Sequence, residues 1–192
     1  MLRCAQFASI AVVAALASLN TASAEDLKVG DKAPTFTAQD DTGKEWKSAD
    51  HYGKKIVVVY FYPADCTGGC TKQAIGFTKD AKALSDLGVE VVGVSGDSVR
   101  NHQLFKKLNS LNFTLLADEK GEVANAFGAP TTLGEKSVKA TIDGKEETLI
   151  RGTTTKRWTY IVGKDGKIAS KNEVTDAAGD SQKVIEFVKG LK

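Results

Sequence analysis

Residues 56–70 read IVVVYFYPADCTGGC, an apolar run that passes directly into a turn holding two cysteines. Residues 56–62 are all apolar or aromatic and do not alternate with polar residues, which is typical of a strand buried on both faces. A helical spacing of apolar residues begins after Cys70. This order predicts that Cys70 lies at the positive end of a helix, where a thiol is expected to ionise easily and to act as a nucleophile.

The rest of the chain alternates strand and helix patterns. Apolar residues recur at helical spacing up to Gly88, and residues 89–94 predict a strand that completes a right-handed strand-helix-strand unit. The pattern then predicts a helix over 99–108 with Leu108 inward, a strand over 113–116, and a brief helix near 123–127. A hairpin over 158–162 and 167–170 follows, and a closing helix over 184–191 has Leu191 inward. The sequence therefore predicts an α/β three-layer sandwich with a central mixed sheet, and Cys70 at the carboxyl end of a central strand.

Residues 1–24 have the pattern of an export signal. Arg3 precedes an apolar stretch over residues 7–19, which is short for a membrane span, and the small residues 22–24 form a cleavage pattern. We therefore expect a mature domain over residues 25–192, an exported location that is periplasmic or otherwise extracytoplasmic, and no membrane attachment after cleavage. Cys4 would be lost with the signal.

Composition narrows the class of protein further. A mature chain of 168 residues suits one domain, and its formal charge falls from +2 to +1 when Arg3 is removed. Acidic and basic residues are interspersed, so we expect no nucleic-acid partner. No long apolar helix face for self-association is evident, which favours a monomer.

Two cysteines, Cys66 and Cys70, remain after cleavage. A disulfide across four positions closes too short a loop to stabilise the fold much, so the spacing of this pair favours redox chemistry or metal binding.

The segment Pro63-x-x-x-Thr67-x-x-Cys70 resembles the active-site signature of the peroxiredoxins, which have a thioredoxin-like fold. Four further segments are similar to the same family in the same order: residues 29–34, residues 93–98, residues 115–118, and the arginine-bearing strand 157–162. The sequence of residues 67–73, TGGCTKQ, resembles the corresponding segment of the peroxiredoxin Q, or bacterioferritin comigratory protein, subfamily.

The resemblance implies a thiol-dependent peroxidase without cofactor or bound metal. Its substrate is hydrogen peroxide or an alkyl hydroperoxide, and its reductant is a thioredoxin-like protein or another thiol. Cys70 is then the peroxidatic cysteine, which becomes a sulfenic acid. Thr67 holds the peroxide, Pro63 shields the sulfur from water, and Arg157 stabilises the charge on the leaving oxygen. We also expect the Thr67 hydroxyl to cap the helix.

The chain departs from the subfamily in its second cysteine. Many members have a resolving cysteine five positions after the peroxidatic one, where this chain has Ile75. Cys66 lies four positions before Cys70 instead. Three interpretations remain open: Cys66 resolves Cys70 by forming a disulfide, an external thiol resolves it, or Cys66 only fills space.

A competing interpretation is a copper-binding protein. Cys66-x-x-x-Cys70 in an exported thioredoxin-like chain also resembles the copper chaperones of cytochrome oxidase assembly, and two thiolates suit Cu(I). The distal histidine of that family has no match, because His102 follows Cys70 by only 32 residues on a helix expected at the surface.

Three further expectations concern other polar residues and one insertion. We expect His51 and His102 to be solvated loop or helix residues, because neither has a nearby carboxylate or cysteine at a spacing that suggests a site. Arg151 is the rival of Arg157 for the place beside Cys70. The segment between Thr131 and Lys156 is longer than the subfamily leads us to expect, and residues 142–145 suggest the turn of an extra hairpin.

Overall fold

The structure is a computed structural model, which describes residues 27–191. The predicted export signal, residues 1–24, lies outside the described residues. The strands within the described part are β1 (Thr37–Asp40), β2 (Glu45–Lys47), β3 (Ile56–Phe61), β4 (Val89–Ser95), β5 (Thr114–Ala117), β6 (Thr131–Ile142), β7 (Lys145–Thr155), β8 (Trp158–Val162) and β9 (Ile168–Glu173). The α-helices there are α1 (Gly68–Asp86), α2 (Val99–Asn109), α3 (Glu122–Ala126) and α4 (Asp180–Gly190), and a 3-10 helix spans Ser48–Asp50.

The central sheet has seven strands in the order β2-β1-β5-β4-β3-β8-β9. Strands β3, β4 and β5 are parallel, and the remaining pairs of this sheet are antiparallel. All six residues of β3 are buried, as expected for a strand covered on both faces. The predicted mixed sheet, with β3 near its centre, is confirmed.

Two apolar clusters cover the two faces of this sheet. Residues of α1, α2 and α4 pack on one face, and α3 packs with Ala33 and Trp46 on the other. Close packing requires a glycine in β4, because a Cβ at Gly93 would lie 2.7 Å from the ring of Tyr60 and 2.8 Å from Leu115. The predicted three-layer sandwich is therefore confirmed.

The insertion forms the long hairpin β6–β7, which pairs as a separate two-stranded sheet. Its turn includes Asp143 and Gly144, both with positive φ, and this agrees with the predicted extra hairpin. The hairpin contacts the end of β4 closely, since a Cβ at Gly96 would lie 2.1 Å from the backbone oxygen of Thr153. Arg151 lies in β7, near the end of the hairpin that contacts β4. Its side chain is buried, and its Nε donates to Thr154 Oγ1 at 3.0 Å.

Two helix faces differ from the sequence prediction. Leu108 of α2 is 45% exposed, and Leu191 after α4 is 48% exposed. In α2 the buried positions are Asn101, His102 and Phe105, so the helix is rotated towards polar partners that the apolar pattern does not reveal. Helix α4 begins a turn earlier than predicted, at Asp180. Strands β1 and β2 are short and half-exposed and were not predicted.

Candidate active site

Cys70 is the third residue of α1, directly after the turn that follows β3. The first intrahelical bond runs from the amide of Thr71 to Thr67 O at 2.8 Å, so the amides of residues 68–70 have no acceptor within the helix. The Cys70 side chain is buried, with 1% of its surface exposed, whereas Gly68 and Gly69 are exposed. Cys70 therefore lies beneath an exposed, side-chain-free edge at the positive end of a 19-residue helix.

The guanidinium of Arg157 contacts the sulfur of Cys70, with Nη2 3.2 Å from Sγ. Strand register explains this contact. Trp158 pairs with Phe61 across the antiparallel β8 and β3, so the residue before Trp158 lies beside the turn after Phe61. Arg157, and not its rival Arg151, is thus the arginine next to the thiol. A guanidinium at this distance stabilises negative charge on the sulfur.

Gln73 and Asp180 extend the same cluster inwards. Arg157 Nη1 donates to Gln73 Oε1 at 2.5 Å, and Gln73 Nε2 donates to Asp180 Oδ2 at 2.7 Å. Sequence reasoning missed both residues. Gln73 follows Cys70 by three positions, a helical spacing that signals a shared face. Asp180 carries no such signal, because it reaches the cluster from α4 at the far end of the chain.

Thr67 and Pro63 occupy the turn between β3 and α1. The Thr67 hydroxyl donates to Ala64 O at 3.0 Å and makes no side-chain bond to the helix, so the predicted cap is wrong. The hydroxyl group donates its hydrogen bond to this carbonyl inside the turn, and the hydroxyl oxygen keeps lone pairs that can accept a hydrogen bond from another molecule. Pro63 is partly buried at the start of the turn.

Cys66 is a free thiol with an unusual environment. It is partly buried, and its φ of 57° lies in the left-handed region that non-glycine residues rarely adopt. Burial, together with the nearby carboxylates of Asp65 and Asp97, raises the pKa of Cys66 to about 12. At neutral pH the Cys66 side chain is therefore protonated. Cys70 is also a free cysteine.

The expectation that His102 is solvated is wrong. His102 is fully buried, and its Nδ1 donates to Asp65 Oδ2 at 2.8 Å, while Tyr62 donates its hydroxyl to Asp65 Oδ1 at 2.8 Å. Burial opposes the charged form of His102, but the carboxylates of Asp65 and Asp97 outweigh it, and the net effect raises the pKa of His102. This network fixes the active-site turn to α2.

Asp97 completes the network from the end of β4. Its Oδ2 accepts the backbone amide of Asp65 at 2.9 Å and the hydroxyl of Ser95 at 2.9 Å, and its Oδ1 accepts from Asn101 at 3.1 Å. Burial and the neighbouring Asp65 raise the pKa of Asp97. Asn101 also donates to Ile150 O at 2.9 Å, which ties the extra hairpin to the same network.

His51 is partly exposed, so it is less solvated than predicted, and it pairs with a carboxylate that lies 39 positions away in the sequence. Its ring stacks on Trp46 at a centroid distance of 4.4 Å, and Nδ1 lies 2.9 Å from Glu90 Oε1. His51 lies on the other side of the sheet from the thiols and supports packing around Trp46.

The geometry expected of a copper site is not found in the part of the chain that the structure describes. No group of three or more His, Cys, Asp or Glu side chains in residues 27–191 is arranged to hold a metal ion. His102 Nδ1 is engaged with Asp65. Among the helices in this range, none is long and apolar enough to cross a membrane.

Known proteins of one family are similar to this chain in sequence. Residues 29–171 match the model of the AhpC/TSA family. The chain belongs to this peroxiredoxin family. The chloroplastic peroxiredoxin Q of Oryza sativa subsp. japonica is 39% identical over 139 residues, which are 72% of this chain and 56% of the rice protein. The chloroplastic peroxiredoxin Q of Sedum lineare is 40% identical over 139 residues, which are 72% of this chain and 65% of that relative. The chain thus spans somewhat more than half the length of these curated relatives.

A solved member of the family has the same fold. The crystal structure of peroxidoxin BcpB from Mycobacterium tuberculosis matches with a TM-score of 0.71 and 28% identity, covering 86% of this chain and 99% of that chain. The thioredoxin-like peroxiredoxin fold implied by the sequence resemblance is confirmed.

Proposed function

We propose that the protein is a thiol peroxidase that reduces hydrogen peroxide and alkyl hydroperoxides through Cys70. The observation that carries this proposal is the 3.2 Å contact between Arg157 Nη2 and Cys70 Sγ at the amino end of α1. A thiolate stabilised by a guanidinium and by helix amides is the nucleophile that peroxide reduction requires. Membership of the AhpC/TSA family supports the same conclusion.

The reaction proceeds by attack of the Cys70 thiolate on one oxygen of the peroxide. An S–O bond forms as the O–O bond breaks, and the departing oxygen takes a proton to leave as water or an alcohol. The Thr67 oxygen accepts a hydrogen bond from the peroxide and aligns it with the sulfur. Arg157 and the amides of Gly69 and Cys70 stabilise the negative charge that develops on the leaving oxygen.

The shape of the site supports small or narrow peroxides as substrates. Cys70 is almost fully buried, and the exposed residues above it, Gly68 and Gly69, have no side chains to obstruct entry. A Cβ at position 69 would lie 3.2 Å from Arg157 Nη2, so glycine there also leaves room for the guanidinium. We propose that Pro63, which is partly buried in the same turn, shields the reacting sulfur from bulk water.

We propose that an external thiol, such as that of a thioredoxin-like protein, reduces the sulfenic acid. The external thiolate attacks the Cys70 sulfur and displaces hydroxide, which takes a proton from solvent and leaves as water. A second thiol of the reductant then attacks the reductant's sulfur in the mixed disulfide and releases the Cys70 thiolate. The pKa of about 12 supports this choice over Cys66, because a protonated thiol is a poor nucleophile. Cys66 and Cys70 are both free thiols, and a bond between them would draw on the turn that also holds Thr67.

We further propose that the protein is exported and acts as a monomer. The basic, apolar and small-residue segments of residues 1–24 support export. Recovery of a chain beginning at Glu25 from an extracytoplasmic fraction would support the export proposal, and a retained Met1 would contradict it. Sedimentation of the reduced protein as a single species near the monomer mass is the corresponding test of the oligomeric state.

The experiment that tests the function follows peroxide consumption with a dithiol reductant. Wild type and the Cys66→Ser variant are expected to turn over at similar rates, and the Cys70→Ser variant is expected to be inactive. Turnover that persists in Cys70→Ser would overturn the proposed function. If Cys66→Ser lost turnover but still formed the Cys70 sulfenic acid, Cys66 would be the thiol that resolves it.

A further inference from the structure

A buried chain of hydrogen bonds lies behind Arg157. Gln73 is fully buried, Thr159 is 3% exposed and Asp180 is 4% exposed. Asp180 Oδ2 accepts from Gln73 Nε2 at 2.7 Å and from Thr159 Oγ1 at 2.8 Å. Gln73 Oε1 then accepts from Arg157 Nη1 at 2.5 Å, and Arg157 Nη2 contacts the Cys70 sulfur.

Asp180 decides in which direction the donors and acceptors of these hydrogen bonds run. A glutamine amide can present either its oxygen or its NH2 group to a neighbour, but an ionised carboxylate only accepts. Asp180 therefore holds the NH2 group of Gln73 towards α4, which turns the Gln73 oxygen towards the guanidinium. With the amide reversed, NH2 would face the N–H groups of Arg157, and two buried donors would be left without acceptors.

We infer that Asp180 is a positioning residue for the peroxidase: it fixes the Gln73 amide and, through it, the orientation of Arg157 against Cys70. This inference rests on the proposed function of Cys70. It assigns a role in the reaction to the carboxyl-terminal helix, which contributes no group to the reacting atoms.

Contacts elsewhere on α4 show that its docking does not depend on this carboxylate. Ser181 Oγ donates to Asp80 Oδ2 at 2.6 Å, and Gln182 Nε2 donates to the same oxygen at 2.7 Å. A Cβ at Gly76 would lie 3.1 Å from Ser181 Oγ, so the two helices are already in close contact. Three apolar residues complete the docking face, namely Val184, Ile185 and Val188. The burial of Asp180 is unfavourable for its ionised form, because desolvation raises the pKa of this carboxyl above its ordinary value.

The test uses an isosteric substitution and a rescuing partner. Asp180→Asn can turn either end of its amide to Gln73 and no longer fixes the direction of the chain, so we expect the rate of Cys70 oxidation by hydrogen peroxide to fall about 10- to 100-fold. Adding Gln73→Glu restores the direction, because the asparagine amide at position 180 then donates to a carboxylate that accepts from Arg157. The double variant should therefore recover most of the lost rate. Gln73→Glu alone sets two buried carboxylates against each other and should be worse than the double variant.

Ser181→Ala is the matched control, because it loosens α4 from α1 without touching the chain that ends at Arg157. We expect it to leave the oxidation rate unchanged. If Asp180→Asn does not fold, Thr159→Val is the second variant, because it removes the other donor to the same carboxylate and should also lower the rate. Circular dichroism establishes folding in each case.

Alkylation of Cys70 by iodoacetamide, followed by mass spectrometry of the Cys70 peptide, separates this inference from the proposed function. Slower alkylation and slower peroxide oxidation in Asp180→Asn, both rescued by Gln73→Glu, support the positioning role. A wild-type rate in Asp180→Asn overturns it, as does an equal loss in Ser181→Ala without rescue in the double variant. A wild-type protein that does not react with peroxide overturns the proposed function, and the alkylation rates then still decide whether Asp180 acts on Cys70.

Discussion

Asp65 and His102 form an ion pair that is completely buried, with Asp65 Oδ2 2.8 Å from His102 Nδ1 and neither side chain exposed. The pair joins the turn that precedes Cys70 to helix α2. The position of Cys66 and Thr67 depends on Asp65, because both residues follow it in the turn. The active-site turn is therefore held by charge as well as by backbone geometry.

The stability of the protein should depend on the protonation of His102. The pKa of His102 is raised in the folded protein, so the pair contributes its full stabilisation below the ordinary pKa of about 6.5. That contribution is lost as pH rises through the raised folded pKa. We expect the difference in unfolding free energy between wild type and His102→Gln to shrink with rising pH in urea titrations.

The same substitution at His51 controls for the loss of a histidine, because His51 is paired with Glu90 at a partly exposed site. A wild-type advantage over His102→Gln that stays constant between acidic and alkaline pH would contradict the charged pair.

Arg157 should control the rate of peroxide attack. Arg157→Gln removes the charge beside Cys70, and loss of one preorganised donor to a developing oxyanion typically costs about 10²- to 10³-fold in rate. Arg157→Lys keeps the charge but cannot contact both Cys70 and Gln73, so its rate should fall between those of Arg157→Gln and wild type. Stopped-flow oxidation measures this order. Equal oxidation rates in wild type and both variants would show that Arg157 does not assist peroxide attack.

The Thr67 hydroxyl should matter for oxidation and little for helix stability. Because it makes no capping bond to α1, Thr67→Val should slow peroxide oxidation, whereas Thr67→Ser should keep most of the rate. Thermal unfolding of both variants provides the second measurement. A large loss of stability in Thr67→Val with an unchanged oxidation rate would assign the residue to the turn alone.

Cys66 should react only at strongly alkaline pH. Its pKa of about 12 predicts slow alkylation at pH 7 and a rate that still rises above pH 10. Asp97→Asn removes one of the carboxylates responsible and should speed alkylation of Cys66 at a given pH. Peptide mass spectrometry distinguishes alkylation of Cys66 from alkylation of Cys70. Fast alkylation of Cys66 at neutral pH in the folded wild type would contradict the environment described for it.

The extra hairpin should detach when Gly96 acquires a side chain. A Cβ there would meet the backbone oxygen of Thr153 at 2.1 Å, a clash that neither backbone can relieve without moving. Gly96→Ala should therefore cost about 1–3 kcal/mol of stability, as overpacking typically does, and expose residues 131–155 to limited proteolysis. Gly134→Ala is the control for cleavage, because a Cβ at Gly134 would meet no atom within 4 Å beyond its own chain neighbours. The φ of Gly134 is positive, so the stability of this variant is compared separately.

The sequence predicted the parts of this fold that depend on local pattern. An unbroken apolar run identified β3. The place of Arg157 near Cys70 was predicted by the resemblance to the peroxiredoxins, in which an arginine stands at the start of this strand. Polar groups that find partners across the fold were not predictable in this way. His102 looked like a surface residue because its partner Asp65 lies 37 positions away in a turn, and Asp180 contacts Gln73 across 107 positions. Periodicity records which faces are apolar, and it carries no information about which buried polar groups meet.

The most direct test mixes the reduced protein with hydrogen peroxide in a stopped-flow instrument and then analyses the Cys70 peptide by mass spectrometry. Our account predicts a fast phase whose rate is proportional to peroxide concentration, one oxygen atom added to Cys70, and no such phase in Cys70→Ser. A wild-type protein without this phase, or a phase that survives in Cys70→Ser, would contradict the account.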